Sequence, residues 1–190
     1  MNYLGHMQGL DNVFNSEGSK EMKTYFDQLK VAMDWLALQD EILFVGQAVS
    51  VPGTAMFNTL KDIAPDLRLE LPVFEDTQMG MSLGMALTGK RVVSIYPRWN
   101  FLLCATNQLV NHVDKYRLMS DGLVSPSLII RTSVGSERPL YPGFQHIGNF
   151  STSFRMMLQS IDVIELHEPE DILPAYQHAY RRIDGRSTVL

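Results

Sequence analysis

Hydrophobic and polar positions follow two recurring patterns along this chain, short apolar runs and longer stretches with helical spacing. Between Met22 and Leu36 an apolar residue recurs every three or four positions, which predicts an amphipathic helix capped by Ser19 and ending near Asp40. The run EILFV at 41–45 predicts the first buried strand. The same reasoning predicts further strands near 69–74, 91–96, 127–131, 161–166 and 187–190, and further helices near 56–63, 79–87, 101–119 and from Pro169 onward.

Strands that alternate with helices indicate right-handed β-α-β units. We therefore predict an α/β fold with a mostly parallel, doubly wound sheet of about six strands and helices on both faces. Residues 1–18 show no periodicity and are predicted to form an N-terminal arm, so that 19–190 make up a single domain. Ligands of such sheets bind at the carboxyl ends of the strands. The positions that follow predicted strands are Gln47, Glu75, 97–101, the loop 132–148 and His167.

Composition narrows the range of functions. The 190 residues carry a net charge of -5 without a run dense in Lys or Arg, so neither nucleic acid nor an anionic membrane is expected as a partner. The single cysteine, Cys104, cannot form an intrachain disulfide, and no apolar run approaches the ~20 residues that span a bilayer, so we expect a cytoplasmic protein. Only 19% of residues are charged and 11 are Met, which suggests that another subunit covers part of the surface, although a Met-rich monomer has the same composition.

Two phosphate-binding motifs do not apply to this chain. Residues 84–90 have the glycine spacing of a P-loop, but Arg91 stands where Ser or Thr is required and no strand precedes the segment. A G-x-G-x-x-G fingerprint is absent from the sequence. Gly80 and Gly84 instead predict a flat helical face that another backbone approaches closely.

Clusters of metal-type ligands also have a simpler explanation. The segment HEPED at 167–171 offers such ligands, but its acids and Pro169 suit the first turn of a helix, which is the interpretation that we favour. His112 and Asp114 lie two positions apart on a predicted helix and hence on different faces. No metal site is expected in this chain.

Glu75 is the most informative acidic residue. It follows the apolar segment 71–74 and stands at the mouth of a predicted helix, where a carboxyl group is partly desolvated and suited to chemistry. The alternative is that Glu75 and Asp76 only begin the helix with favourable charge. Local spacing alone favours this alternative.

Several segments together resemble a known family. In order and spacing they resemble the pyrimidine-binding domain of thiamine-diphosphate-dependent enzymes, as found in the beta subunit of the 2-oxo-acid dehydrogenase decarboxylating component and in the middle domain of transketolases. The segments are FVGQAV (44–49), LPVFEDTQMGMSLGMALTGKRVV (71–93), RWNFLLCATNQLVNHVDKYRLMSDG (98–122), PSLIIRTSVG (126–135), FQHIGNFS (144–151) and DVIELHEPEDILPAYQHA (162–179).

The resemblance implies how the cofactor is held. Glu75 falls where the family has a glutamate that hydrogen-bonds a ring nitrogen of the cofactor's aminopyrimidine and favours its imino tautomer, which makes Glu75 both a catalytic and a cofactor-binding candidate. The family also packs an aromatic ring against the pyrimidine, and Phe101 matches that place. Trp99 in the same W-N-F segment is a further cofactor-binding candidate.

On the substrate side, Gln145 and His146 match a Gln-His pair of the family in which the histidine acts on the substrate or the acyl acceptor. His146 is therefore the second catalytic candidate, and Gln145 is a candidate for contacting the substrate. Arg98 is another such candidate, because its guanidinium suits a carboxylate or phosphate. Gln47 departs from the family, since the dehydrogenase beta subunits usually carry an acid there.

The function that the resemblance implies is that of a split enzyme. The sequence lacks the GDG and Asn motif with which this superfamily holds magnesium and diphosphate, and it lacks the usual C-terminal domain. We therefore expect a beta-type subunit that binds the pyrimidine half of thiamine diphosphate, while an alpha-type partner holds the diphosphate and magnesium in a heterotetramer. The expected reaction is decarboxylation or dehydrogenation of a 2-oxo acid. Alternatives are a transketolase-like subunit for ketol transfer and a non-catalytic binding or regulatory module.

Overall fold

The computed structural model describes residues 24–135 and 141–190, so the predicted arm 1–18 and the Ser19 cap lie outside the described residues. Within these residues, six strands form one sheet in the order β2-β1-β3-β4-β6-β5, and every adjacent pair is parallel. The predicted α/β fold is confirmed. The strands are β1 (Ile42–Gly46), β2 (Arg68–Glu70), β3 (Arg91–Ile95), β4 (Leu128–Arg131), β5 (Asp162–Val163) and β6 (Thr188–Val189).

Helices flank the sheet and connect its strands. In the described ranges the α-helices are α1 (Tyr25–Ala37), α2 (Ala55–Asn58), α3 (Glu75–Leu87), α4 (Trp99–Leu102), α5 (Asp114–Met119), α6 (Ser151–Met157) and α7 (Pro169–Arg181). None of the helices in these ranges has both the length and the apolar character needed to cross a bilayer.

Apolar side chains cover both faces of the sheet. On one face α3 and α6 contribute Met79 and Phe154, and on the other face α1 and α7 contribute Met33 and Ile172. All four side chains are fully buried. Packing of the two cores holds the strands in place. The loops at the strand ends contribute little to these cores and can therefore carry polar residues.

The approach to Glu75 differs from the prediction. β2 ends at Glu70, and the segment 71–74 is not a strand, because Pro72 has no N–H to offer the ladder. α3 begins at Glu75 and not near Met79. Glu75 is therefore the first residue of a helix, as the alternative interpretation expected.

Two helical regions were also predicted imperfectly. The predicted helix 101–119 is interrupted by a 3-10 turn, Leu103–Ala105, and by a π-helical stretch, Gln108–Val113, before α5 begins. An irregularity of this kind shifts the helical phase by a fraction of a turn, which apolar spacing does not resolve. The sequence analysis did not predict α6, because its seven residues make fewer than two helical turns, which is too short for a helical spacing of apolar residues to be recognised.

Candidate active site

The loops that follow β1, β3 and β4 meet at one edge of the sheet. These strands are parallel neighbours, and their last residues, Gly46, Ile95 and Arg131, are paired side by side. The start of α3 lies over this edge, where the Tyr96 phenol donates a hydrogen bond to the Glu75 carbonyl at 3.3 Å. The edge therefore brings together residues that are far apart in the sequence.

The Glu75 side chain is buried without a protein partner. It is 8% exposed, and no residue in the described ranges donates a hydrogen bond to its carboxylate or forms an ion pair with it. The neighbouring Tyr96 stays a neutral phenol because burial raises its pKa. The carboxylate oxygens of Glu75 are not among the enclosed unpaired atoms of the described ranges, so a ligand that donates a hydrogen bond has access to them.

A glycine allows α3 to approach the strand ends. Gly46 has φ +148, and a Cβ atom there would lie 2.2 Å from the Ile95 carbonyl oxygen and 2.9 Å from Nε2 of Gln78. The Gln78 amide donates to the Ile95 carbonyl at 2.9 Å and to the Ser94 hydroxyl at 3.3 Å. Glycine is therefore required at position 46, and Gln78 is held one turn beyond Glu75.

Phe101, His146 and Arg98 form a second part of the site. The rings of Phe101 and His146 lie 5.5 Å apart with an interplanar angle of 33°. Arg98 Nη1 donates to the His146 carbonyl oxygen at 3.3 Å. The structure therefore brings together three of the predicted site residues.

Unpaired buried polar atoms concentrate at this edge. Within the described ranges six buried side-chain nitrogen or oxygen atoms have no hydrogen-bond partner, and five of them lie on or beside the loops of this edge. Buried polar groups in folded proteins are nearly always paired, so the cluster indicates a place where another molecule completes the hydrogen bonding. The five atoms are Gln47 Nε2, Gln78 Oε1, Asn100 Oδ1, Thr132 Oγ1 and His146 Nδ1.

Two predicted site residues lie apart from this cluster. The Trp99 side chain is 4% exposed and packs inside the core, with its ring 5.1 Å from that of Phe154. Gln145 is exposed on the turn that carries His146. The Trp99 side chain therefore packs α4 against the core, whereas the Gln145 side chain faces solvent.

A carboxylate fixes the loop that carries Gln47. Glu70 accepts hydrogen bonds from the backbone N–H groups of Ala48, Val49 and Ser50 at 2.7 to 2.8 Å. Ala48 adopts φ +59, a conformation that these three bonds stabilise. The loop is thus rigid where it presents the buried Gln47 amide.

Sequence reasoning missed several residues of the site. Gln78 lies three positions after Glu75, a spacing that shares one helix face, and this signal would have indicated it. Asn100 and Thr132 fall within 97–101 and 132–148, the ranges that follow predicted strands, but they were not named individually as site candidates. In the part of the chain that the structure describes, no group of three or more His, Cys, Asp or Glu side chains is arranged to hold a metal ion.

Comparison with known proteins finds relatives among pyruvate dehydrogenase subunits. The pyruvate dehydrogenase E1 component subunit beta of Gracilaria tenuistipitata var. liui is 33% identical over 135 residues, which are 68% of this chain and 41% of that protein. The protein of the same name from Porphyra purpurea is 32% identical over 135 residues, 68% of this chain and 40% of that protein. The chain spans about two fifths of the length of these relatives. No protein-family model matches the chain.

A solved structure has the same fold. The protein described as "Split gene transketolase, inactive beta4 tetramer" superposes with a TM-score of 0.66 over 87% of this chain and 50% of that chain, at 14% sequence identity. The chain therefore carries a transketolase-like pyrimidine-binding domain, related in sequence to the beta subunits of pyruvate dehydrogenase E1.

Proposed function

We propose that this chain is the beta-type subunit of a thiamine-diphosphate-dependent enzyme and that it binds the aminopyrimidine half of the cofactor. The observation that carries the proposal is the Glu75 carboxylate at this sheet edge, which belongs to a largely buried residue and receives no hydrogen bond from any residue in the described ranges. The proposed reaction is the decarboxylation of a 2-oxo acid, which is supported by relatives named as pyruvate dehydrogenase E1 beta subunits.

The side chains at the sheet edge fit an aminopyrimidine. Such a ring has a hydrogen-bonding edge and a flat apolar face. Glu75 offers a carboxyl group to the edge, and unpaired amide atoms of Gln47 and Gln78 lie at the adjoining strand end and helix turn. The half-buried Phe101 offers an aromatic surface to the face. Donors, acceptors and an aromatic ring at one place support binding of this half of the cofactor.

Within this chain, Glu75 is the residue proposed to exchange a proton with the cofactor. When bound, thiamine diphosphate supplies a carbon nucleophile and an electron sink. Glu75 holds or releases a proton at its carboxyl oxygen towards a ring nitrogen of the pyrimidine. The hydrogen bond from Tyr96 to the Glu75 carbonyl keeps this end of α3 on the sheet.

His146 is the proposed second catalytic residue. Its Nδ1 atom is buried and unpaired in the described chain, so the imidazole is free to act on a substrate or an acyl group. Direct contacts of Arg98 and Gln145 with the substrate stay predictions, as does direct contact of Trp99 with the cofactor.

A partner chain would complete the site. We propose that an alpha-type subunit holds magnesium and the diphosphate, and that two copies of each chain form a heterotetramer. The names of the relatives, which specify a subunit beta, support a separate partner. The solved neighbour named as an inactive beta4 tetramer is an assembly of the kind that beta chains without a partner would form.

Substitution of Glu75 tests the proposal. In the complex isolated through a tag on this chain, Glu75→Gln should lower the turnover of 2-oxo acids about 100-fold or more, because general acid-base catalysis contributes at least that factor. The mass of the assembled particle should not change. Turnover is measured against a panel of 2-oxo acids, with phosphorylated ketoses as the competing substrates.

Asp76→Asn is the matched control. Asp76 is the next acid in the same first turn of α3, but it is exposed, so its removal should leave turnover within about twofold of wild type. Full activity of an assembled Glu75→Gln complex would contradict the proposed function. An equal loss in both variants would show that only the charge at the helix start matters.

A further inference from the structure

We propose that Arg98 is a positioning residue for His146, and that it holds the imidazole against Phe101. The inference rests on the proposed function, because it concerns the two side chains assigned to cofactor and substrate. Direct substrate binding by Arg98 is the competing prediction, and the kinetic test below separates the two roles.

Arg98 contacts both halves of the Phe101–His146 pair. Its backbone carbonyl accepts hydrogen bonds from the N–H groups of Phe101 at 3.0 Å and Leu102 at 3.2 Å, so Arg98 begins the helix that carries Phe101. Its guanidinium donates to the His146 carbonyl at 3.3 Å. One residue therefore links two segments that lie more than 40 positions apart in the sequence.

The backbone around Arg98 is anchored to the end of β4. The Trp99 N–H donates to the Ser133 carbonyl at 3.0 Å, and the Ser133 hydroxyl donates to the Pro97 carbonyl at 2.6 Å. These bonds fix the residues on either side of Arg98. The guanidinium therefore extends from a rigid base towards His146.

The His146 carbonyl is confined on a second side by Gly135. A Cβ atom at Gly135 would lie 1.7 Å from the His146 carbonyl oxygen, so the two backbones touch and only glycine fits. The His146 N–H in turn donates to the Gly143 carbonyl at 3.0 Å. The His146 carbonyl thus contacts both Arg98 and Gly135, and the imidazole of the same residue lies 5.5 Å from the Phe101 ring.

The test uses nuclear magnetic resonance on the whole chain without cofactor. The readouts are the ring-current shift of the His146 imidazole, assigned with a His146→Gln variant, and the hydrogen exchange of the His146 amide. In Arg98→Met the shift should fall towards its value in Phe101→Leu, and the amide should exchange about fivefold to tenfold faster, which corresponds to the loss of one hydrogen bond. Arg98→Lys should restore part of both signals.

Arg117→Met is the matched control. Arg117 also donates to a backbone carbonyl, that of Asp184 at 2.8 Å, but it lies on α5 and not on the segments that carry Phe101 and His146. The His146 signals should be unchanged in this variant. Unchanged His146 signals in Arg98→Met would overturn the proposal, as would a loss of the same size in the Arg117 control.

Kinetics of the assembled enzyme provide the second readout. A positioning role predicts that Arg98→Met lowers kcat about tenfold or more with little change in KM. A higher KM with intact His146 signals would assign Arg98 to the substrate and would overturn the inference. The resonance measurements need no cofactor, so a failure of the proposed function would appear in the Glu75 experiment and leave these signals as predicted.

Discussion

Two free-energy terms of opposite sign act on the Glu75 carboxylate. The amino-terminal end of α3 stabilises a negative charge by about 0.3–1 kcal/mol. Burial of a polar group without a hydrogen-bond partner costs about 1–3 kcal/mol, and more for a charged group. The Glu75 residue is 8% exposed with no donor in the described ranges, but its carboxylate oxygens are not among the enclosed unpaired atoms, so the helix start dominates in the free chain. A ligand that covers the carboxylate has to donate a hydrogen bond to it.

This balance predicts the sign of a stability change. In the isolated chain without cofactor, Glu75→Gln should lower the free energy of unfolding by about 0.3–1 kcal/mol, because it removes a charge that the helix start stabilises. A carboxylate enclosed without donors would instead gain stability on the same substitution. Urea denaturation at pH 7 measures the change, with Asp76→Asn as the reference for a helix-start charge. A gain of stability in Glu75→Gln would contradict this balance.

At the residue scale, the sequence predicts which residues follow the strand ends better than it predicts what their side chains contact. That Glu75, Gln47 and His146 lie beyond strand ends follows from apolar runs and from the resemblance. That Trp99 points into the core and that Arg98 binds a backbone carbonyl depends on packing between distant segments. Local spacing does not encode such packing, and so it could not separate the two roles of Glu75.

At the scale of elements, two glycines differ in the space around them, Gly46 at the end of β1 and Gly84 on α3. Gly46 at the end of β1 receives the helix so closely that no Cβ fits, whereas a Cβ at Gly84 on α3 would meet open space within the described chain. The close backbone approach predicted for Gly84 is therefore not made by any described residue. That face of the helix is exposed together with Met81 and Leu87.

Gly84→Ala should stabilise the isolated chain. Gly84 has helical backbone geometry and free space, so the substitution should raise the free energy of unfolding by about 0.5–1 kcal/mol, the usual preference of a helix for Ala over Gly. Gly46→Ala is the contrasting variant and should lower it, because its Cβ would clash with the Ile95 carbonyl. Urea denaturation of both variants checks the pair. Destabilisation by Gly84→Ala would show that the face is already occupied.

Elements with clear periodicity are the ones that the sequence predicts well. Strands β1 and β3 coincide closely with the runs EILFV and RVVSIY, because both faces of a parallel strand are buried and the run is continuous. α6 and the π-helical stretch are set by tertiary packing and not by spacing. The loop 144–148 owes its position to Gly135 and Arg98, two contacts that no local rule predicts.

At the scale of the whole molecule, the proposed function assigns half of a cofactor site to this chain. The unpaired polar atoms and Glu75 lie at one sheet edge, and the described residues contain no cluster of acids or histidines arranged for a metal ion. Exposed apolar side chains, among them Val73 and Phe74 just before α3, lie next to this edge in the sequence. A second chain that covers this surface would both bury the apolar residues and bring the remaining cofactor contacts.

The most direct test of this account is the native mass and the thiamine diphosphate content of the particle that a tag on this chain isolates from the cells that make it. The account predicts a particle that contains a second chain in equal number and about one cofactor per copy of this chain, as a symmetric two-by-two assembly requires. A cofactor-free assembly of this chain alone would contradict it and would indicate a binding module that keeps the fold without the chemistry.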